Sequence, residues 1–455
     1  MNKVAISESL DKQLSLNKNS KVLIVGLGET GISVAKFFQQ QSIECAITDS
    51  RDKPPFYDAL CKEYPDIPLF LGGFVKVAVD VATHLVVSPG VSLREESIQN
   101  AIISGIKIVS DIDLFACATE KPIVAITGSN GKSTVTTMLG AMGNAAGVKT
   151  AIGGNLGIPA LDLLDETVKL YILELSSFQL ERTSVLNARA ATVLNISEDH
   201  MDRHDHIMEY ANEKQKVFCG NGAMVLNQDD SIVNAMGLKE RETLTFSVEK
   251  KNGFHIESKQ NEDWLMNGKK ALMKRSELPV QGLHNVANAL ASFALGTAIG
   301  LSNDAMCKAL RVFKGLDHRM QKVAFVNGVT WINDSKATNI GACIAALKGY
   351  QDKVVLIAGG DAKGADMNEL IPAIKSNTKC VVLMGKDAEK IDLAINGCVP
   401  AYRAKNIQEA VEIAAKNAEE GESVLLSPAC ASIDQYKNYK ERGEQFTAAV
   451  MELAA

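Results

Sequence analysis

Residues 122–147 read PIVAITGSNGKSTVTTMLGAMGNAAG. The apolar run PIVAI stops abruptly at a glycine-containing turn, as a buried strand does, and from Val135 the pattern reads as a helix. That leaves TGSNGKST (Thr127–Thr134) as the turn between them. In such a turn the amides of Gly128, Ser129, Asn130 and Gly131 converge with the Lys132 ammonium on one point, which suits a phosphate. Ser133 or Thr134 then offers a hydroxyl to Mg²⁺. The spacing is shorter than in the usual phosphate loop, GxxxxGK[ST], which requires glycine at position 126 where this chain has Ile126.

A second turn of similar construction precedes it. GLGETG (Gly26–Gly31) follows the apolar run KVLIV and opens the helix-like TGISVAKFFQQQ, and Asp49 ends the next apolar run. This is the setting of a dinucleotide fingerprint: glycines admit a diphosphate to a helix N-terminus, and an acid reaches a ribose. A tight strand-to-helix turn without a ligand is the alternative.

The same alternation recurs along the chain at ECAITD (44), THLVVSPG (83), LYILE (170) and ATVLN (191). After a break it returns at VTWIND (329), VVLIAGGD (354), CVVLMG (380) and SVLLSP (423). Apolar runs separated by helical stretches predict α/β units with parallel, helix-covered sheets, whose ligands bind at the carboxyl ends of the strands. Between about 240 and 280 the texture becomes polar and alternating, with NG turns, and predicts a small antiparallel insertion. Polar boundaries near 110–121 and 313–319 divide the chain into three: a Rossmann-like unit over 1–110, a central mononucleotide-binding parallel sheet of P-loop type over 111–315, and a second Rossmann-like unit over 316–455.

With 455 residues, 46% of them hydrophobic, each unit can bury a core. A net charge of −6 with interspersed signs argues against nucleic acid or an anionic membrane as the main partner. Nine scattered cysteines without a CxxC pair fit a reducing compartment, and no leader-like or 18-residue apolar run is present, so the expected location is the cytoplasm.

A phosphate loop needs an acid for its metal. Glu174 ends the strand LYILE, and the loop ISEDHMDRHDH follows ATVLN, so Glu174 and His200 are expected on the same rim. His200, His204 and His206 also invite a zinc reading. A carboxylate and a hydroxyl beside a triphosphate suit Mg²⁺ better, and His204 and His206 are then read as exposed loop residues.

Taken with TGSNGKST, the stretches ELSSFQLE (174–181), NISEDHMDRH (195–204), GLHNVANALAS (282–292), GLDHRMQ (315–321), NDSKATN (333–339), GGDAKGAD (359–366) and SPACASIDQYKNY (427–439) resemble the ATP-dependent Mur ligases of peptidoglycan synthesis over essentially the whole chain. NDSKATN, SPACAS and the N-terminal glycine unit are most similar to the members that add D-glutamate to UDP-N-acetylmuramoyl-L-alanine. The resemblance implies that GLGETG holds the diphosphate of a UDP-sugar, with Gly28, Glu29, Thr30, Ser50, Arg51 and Gly90 around it and Asn155 and Ser176 near the reacting end. It leaves the part played by Asp49 undecided.

For ATP the resemblance implies Gly128 to Thr134, then Asn285 and Asn288 at adenine, Asp334 at ribose, and His318 and Arg319 on closure of the third domain. Two Mg²⁺ are implied, one on Ser133 and Glu174, the other on His200. Lys214 is implied as a lysine that takes up CO₂ and becomes a carbamate ligand, with Lys216 as the alternative register; without the family pattern, Lys214 would read as a surface lysine. Lys336, Thr338, Lys363, Ser432 and Tyr439 are implied around D-glutamate, and the protein is expected to act as a monomer.

The rival readings are a folylpolyglutamate synthetase-like ligase, which leaves GLGETG without a task, and an NAD-dependent Rossmann oxidoreductase, which leaves TGSNGKST, Glu174 and His200 without one. A nucleotide-gated binding protein without ligase chemistry is a third.

Overall fold

A computed structural model describes residues 3–280, 282–350 and 352–453. Three sheets account for the chain. The first comprises β1 (Val22–Val25), β2 (Cys45–Asp49), β3 (Leu69–Leu71), β4 (His84–Val87) and β5 (Lys107–Val109), all parallel, in the order β3-β2-β1-β4-β5. The order reverses beside β1, so a crevice opens at the carboxyl ends of β1 and β4. GLGETG lies there, leading into the helix Glu29–Gln41.

The second sheet runs β14-β13-β12-β11-β10-β9-β6-β8-β7. Its strands are β6 (Ile123–Thr127), β7 (Thr150–Gly154), β8 (Leu170–Glu174), β9 (Ala190–Val193), β10 (Ala223–Asn227), β11 (Thr243–Ser247), β12 (Phe254–Lys259), β13 (Glu262–Asn267) and β14 (Lys270–Lys274). β6 lies between β9 and β8 inside the sheet, its first four residues are apolar, and all five are buried, as a strand covered on both faces requires. The expected antiparallel insertion is only partly separate. β11 and β12 join the edge of β10 in parallel, and only the β12–β13–β14 meander is antiparallel, so the insertion extends the nucleotide sheet.

The third sheet, β15 (Gln321–Val326), β16 (Val329–Asn333), β17 (Val354–Gly359), β18 (Thr378–Met384), β19 (Ala401–Arg403) and β20 (Ser423–Leu426), has the order β15-β16-β20-β17-β18-β19, parallel except at β15.

The segment 110–121, expected as a polar boundary, instead forms the buried helix Asp111–Ala118. Its polar residues are used locally. Ser110 and Asp113 form a reciprocal cap, and Asp113 also accepts the amides of Ser184 and Val185, which leaves Ile112, Leu114 and Phe115 free to enter the core. Phe115 meets Tyr171 edge-on at 5.0 Å. One continuous hydrophobic cluster consequently includes Ile24 and Phe38 of the first layer with Ile123 and Leu173 of the second. Among the described residues no helix is long and apolar enough to cross a membrane.

Candidate active site

The loop after β6 is shaped by glycine. Gly128 and Gly131 have φ of +142° and +86°, and a Cβ at Gly131 would run into Asn288 Oδ1. The neighbouring strand fixes its height: Asn195 O accepts from Ser129 N at 2.9 Å, Asn195 Oδ1 from Asn130 N at 2.8 Å, and Ser197 O from Ser129 Oγ at 3.0 Å. Lys132 begins the helix Lys132–Ala145, and its ammonium donates to Gly128 O at 2.8 Å and Ser129 O at 2.9 Å. The side chain therefore folds back over its own loop and points at the loop's concavity. Burial lowers its pKa, with Glu174 and Asp199 opposing the shift.

Glu174 lies at the end of β8 and is 3% exposed. Its Oε1 accepts from Asn155 Nδ2 at 3.0 Å, while Oε2 is buried without a hydrogen bond of ordinary length among the described residues. Burial favours the neutral acid, yet Lys132, Ser133, Asn155 and Arg319 outweigh it and hold the carboxyl ionised. An ionised, buried oxygen with no donor is costly unless a cation completes it. The residues therefore fit a metal here. Among the described residues no group of three or more His, Cys, Asp and Glu converges as a metal site. The rest of the shell would come from the Ser133 hydroxyl, phosphate oxygens and water, which suits Mg²⁺.

His200 stands on the same rim with φ +59°, its ring edge-on to Phe178 at 4.9 Å and its Nε2 3.7 Å from Asp199. Burial pushes its pKa down to about 4 against the pull of Asp199, so the imidazole is neutral and able to act as a ligand. Lys214 is 1% exposed, donates only to Thr127 Oγ1 at 3.4 Å, and sits 4.5 Å from the centre of the Tyr210 ring. Burial and then the Lys132 charge drive its pKa far down. Lys216 is exposed and pairs with Glu213, so the register that selects Lys214 is the one that faces the loop.

His204 corrects the expectation of an exposed loop residue. It is 4% exposed, stacked on Phe178 at 5.8 Å and 3.2 Å from Ser177 Oγ, because the loop turns its apolar face back onto the helix Ser177–Glu181. His206 is exposed, and its Nδ1 caps the helix Ile207–Gln215 by accepting from Glu209 N.

The first crevice forms a cavity of about 430 Å³. Gly28, Glu29, Thr30, Ser50, Arg51, Gly90 and Asn155 all line it. Ser176 does not; it caps the helix Ser177–Glu181 through Gln179, which does line the cavity. Asp49 has its carboxylate fully engaged, by Leu27 N at 2.7 Å, Arg51 N at 2.9 Å and the Arg51 guanidinium at 2.7 and 2.8 Å. It orders the loop and aims Arg51. Asn155 touches both this cavity and Glu174, so the two phosphate-type loops share one wall.

A second cavity, of about 280 Å³, lies between the nucleotide sheet and the third sheet. Asn130, Gly131, Thr134, Asn285, Asn288, Arg319 and Asp334, which the sequence reading assigns to ATP, line it, and so does Lys336, which that reading assigns to D-glutamate. Asn227, Phe246 and His284 also line it; none was singled out from the sequence, although His284 lies within the stretch GLHNVANALAS. Asp334 accepts from Ser427 Oγ and Met320 N, and burial lifts its carboxyl to about 7.

The third sheet is closed over the second. Arg319 Nη2 donates to Ser133 Oγ at 2.9 Å, Lys363 Nζ lies 3.1 Å from Asp199, and the side chains of Asn130 and Asn339 exchange hydrogen bonds at 3.2 Å. His318, expected with Arg319 at the nucleotide, faces its own domain instead. Its φ of +61° turns the ring to Asn333 Nδ2, at 3.1 Å, and against Gly443.

Lys336 rests on the Tyr439 ring, 3.8 Å from its centre, and burial with the Arg319 charge lowers its pKa to about 8. Thr338 is half-buried on the turn before the helix Ile340–Leu347, and Ser432 is buried after β20. Asp199, Asn195 and Asn339 were not singled out from the sequence. Their place just beyond strands that carry site residues is the signal that could have found them.

Sequence comparison decides the family. The Mur ligase middle domain matches residues 126–296, the Mur ligase MurD-like N-terminal domain residues 20–110, and the Mur ligase glutamate ligase domain residues 318–430. The chain belongs to the Mur ligase family. It is 50% identical to the UDP-N-acetylmuramoylalanine--D-glutamate ligase of Methylococcus capsulatus, with 97% of each chain covered. It is 46% identical to the enzyme of the same name from Marinobacter nauticus, with 94% of this chain and 98% of that one covered. Its three-layer fold is similar to that of UDP-N-acetylmuramate-alanine ligase from Thermotoga maritima, at a TM-score of 0.60 and 18% identity, with 95% of this chain and all of that one covered.

Proposed function

We propose that this chain is an ATP-dependent amide ligase that adds D-glutamate to UDP-N-acetylmuramoyl-L-alanine, a cytoplasmic reaction carried out by a monomer. The observation that carries the reading is the Asn155–Glu174 contact, which joins a diphosphate-sized crevice to the acid of an ATP-type loop. A nicotinamide enzyme has no use for that junction. A folylpolyglutamate-type ligase has none for the first crevice, which the MurD-like N-terminal match covers.

A carboxylate resists amines because its leaving group would be oxide. In the proposed reaction an oxygen of the alanyl carboxylate attacks the γ-phosphorus of ATP, ADP departs, and the D-glutamate amine then displaces phosphate from the acyl phosphate, losing a proton. Such chemistry rests on positioning and charge neutralisation. Lys132 and Arg319 meet the γ-phosphate, Asn285 and Asn288 the adenine, and Asp334 the ribose. The crevice residues from Gly28 to Gly90 hold the UDP moiety, with Ser176 placing Gln179 beside it. Lys336 and Lys363 meet the carboxylates of D-glutamate, with Thr338, Ser432 and Tyr439 around them. Ser133, Glu174, His200 and Lys214 would hold Mg²⁺, which supplies charge neutralisation between phosphate and carboxylate oxygens.

Lys214 serves that set as a carbamate: its neutral amine bonds to the carbon of CO₂, and the proton goes to water. What supports this is a buried amine with one long hydrogen bond and, among the described residues, no carboxylate in ion-pair contact, Asp199 and Glu174 acting on it only from a distance. The test is phosphate release from Mg²⁺-ATP with the UDP-sugar present and D-glutamate added or withheld, with mass analysis of the product. Release that requires both substrates and a product heavier by one glutamyl residue is expected. Release indifferent to either would refute the reading.

A further inference from the structure

Two buried arginines, Arg182 and Arg442, lie outside the machinery just described, and Arg182 is the one beside the first crevice. Arg182 ends the helix Ser177–Glu181, and its side chain is fully buried. Its guanidinium crosses from the nucleotide layer into the first layer. There it donates to three main-chain carbonyls at the end of β4 and in the loop after it: Ser88 O at 2.6 Å, Val87 O at 3.3 Å and Val91 O at 3.3 Å. Glu181 balances the charge at 2.9 Å, and Nε has no partner.

The loop it grips is one wall of the first crevice. Ser88, Pro89, Gly90 and Val91 all line that cavity. The opposite wall packs on this one: Ser88 Oγ donates to Gly26 O at 2.9 Å, and a Cβ at Gly26 would lie 3.1 Å from both Ser88 and Val91. The glycine turn thus takes its position from Ser88 and Val91, and these take theirs from Arg182. The same short helix carries Gln179 into the cavity and starts three residues after Glu174.

A buried guanidinium is a weak source of stability, since desolvation offsets most of its attraction. Five donors in a rigid fork are, however, well suited to holding several carbonyls in one register. We infer that Arg182 is a positioning residue for the UDP-sugar: it locks the wall of the diphosphate crevice to the helix that follows the metal-binding acid, and so sets where the sugar's carboxylate arrives relative to ATP. This inference rests on the ligase reading above.

The test is steady-state kinetics of the full-length chain carrying Arg182→Met, with the three substrates varied in turn. Wild-type turnover with the UDP-sugar tests the ligase reading alone; the ratio of variant to wild type tests the inference. Loss of charge-assisted bonds to the wall is expected to raise KM for the UDP-sugar by about tenfold, with KM for ATP and D-glutamate within about twofold.

An unchanged UDP-sugar KM overturns the proposal, as does an equal rise in all three with a fallen melting temperature, which would mark a merely structural residue. Should Arg182→Met fail to fold, Arg182→Lys carries the same test, with a rise of about threefold expected from a single ammonium. Arg94 serves as the control. It also spans the two layers, at 2.8 Å to Asp205 and 2.9 Å to Glu209, but it is half exposed. Arg94→Ala is expected to leave the UDP-sugar KM unchanged, and an equal rise there would overturn the assignment to Arg182.

Discussion

Replacing Lys214 by alanine should separate activity from stability. The truncation removes three buried methylenes, worth about 0.8 kcal/mol each, or roughly 2.4 kcal/mol of burial. It also removes an amine whose only hydrogen bond is 3.4 Å long, relieving a desolvation cost of about 1–3 kcal/mol. The two nearly cancel, so the melting temperature should move by only a few degrees, about 2–4 °C per kcal/mol at the larger end of domain sizes. Activity should fall about a thousandfold, or roughly 4 kcal/mol of transition-state stabilisation, because the proposed carbamate would be lost from the phosphoryl-transfer site.

The assay is phosphate release at saturating substrates beside a thermal melt, repeated with added formate or acetate. A small carboxylate entering the vacated volume should restore part of the rate. In the wild type, ¹³CO₂ should give a carbamate carbon resonance that is missing from Lys214→Ala. Full activity in the variant, or loss of activity and of folding together with no rescue, would refute the reasoning.

Lys132→Ala should abolish ATP turnover while the UDP-sugar still binds, since Lys132 projects into the nucleotide loop and not into the first crevice; titration calorimetry with the UDP-sugar checks this. Lys336 predicts a pH dependence. Its pKa of about 8 means that the ammonium is present below that pH and lost above it, so KM for D-glutamate should rise as pH passes from 7 to 9; a flat profile in that window would remove Lys336 from the pocket. Phe115→Ala should cost about 3–5 kcal/mol, because it deletes an aromatic contact in the core that the first two layers share, and urea titration followed by circular dichroism measures it.

Much of the fold was legible because its signals are local. A strand, a glycine turn and a helix are specified within about 25 residues, and TGSNGKST and GLGETG each show all three parts. The residues read wrongly depend on partners that arrive from far along the chain. His204 is polar and sits among charged neighbours, and only Phe178 and Tyr210 make it a buried ring. Asp111 and Asp113 look like linker residues until Ser184, Val185 and Arg182 are brought beside them. His318 and Arg319 are adjacent in sequence, yet a positive φ at His318 sends one ring inward and leaves the next side chain to reach Ser133. Backbone reversals of that kind leave no periodic trace.

The division of labour between cores explains why two phosphate loops belong in one chain. The first two layers share a continuous apolar cluster, so the first crevice and the glycine–lysine loop after β6 belong to one packed unit, and Asn155 links the crevice to Glu174. The clusters of the third sheet contain no buried residue before Val326, and its contacts to the nucleotide layer among the described residues include the polar pairs Arg319–Ser133, Lys363–Asp199, Asn339–Asn130 and Asn339–Asp199. Polar contacts exchange readily with water, whereas a shared apolar core does not. We propose that the third domain is the part that opens to admit substrates; small-angle scattering that shows no compaction on adding ligands would refute this. The Lys336 ammonium that would recognise D-glutamate, carried on that domain, reaches the acyl phosphate only when Arg319 returns to the loop.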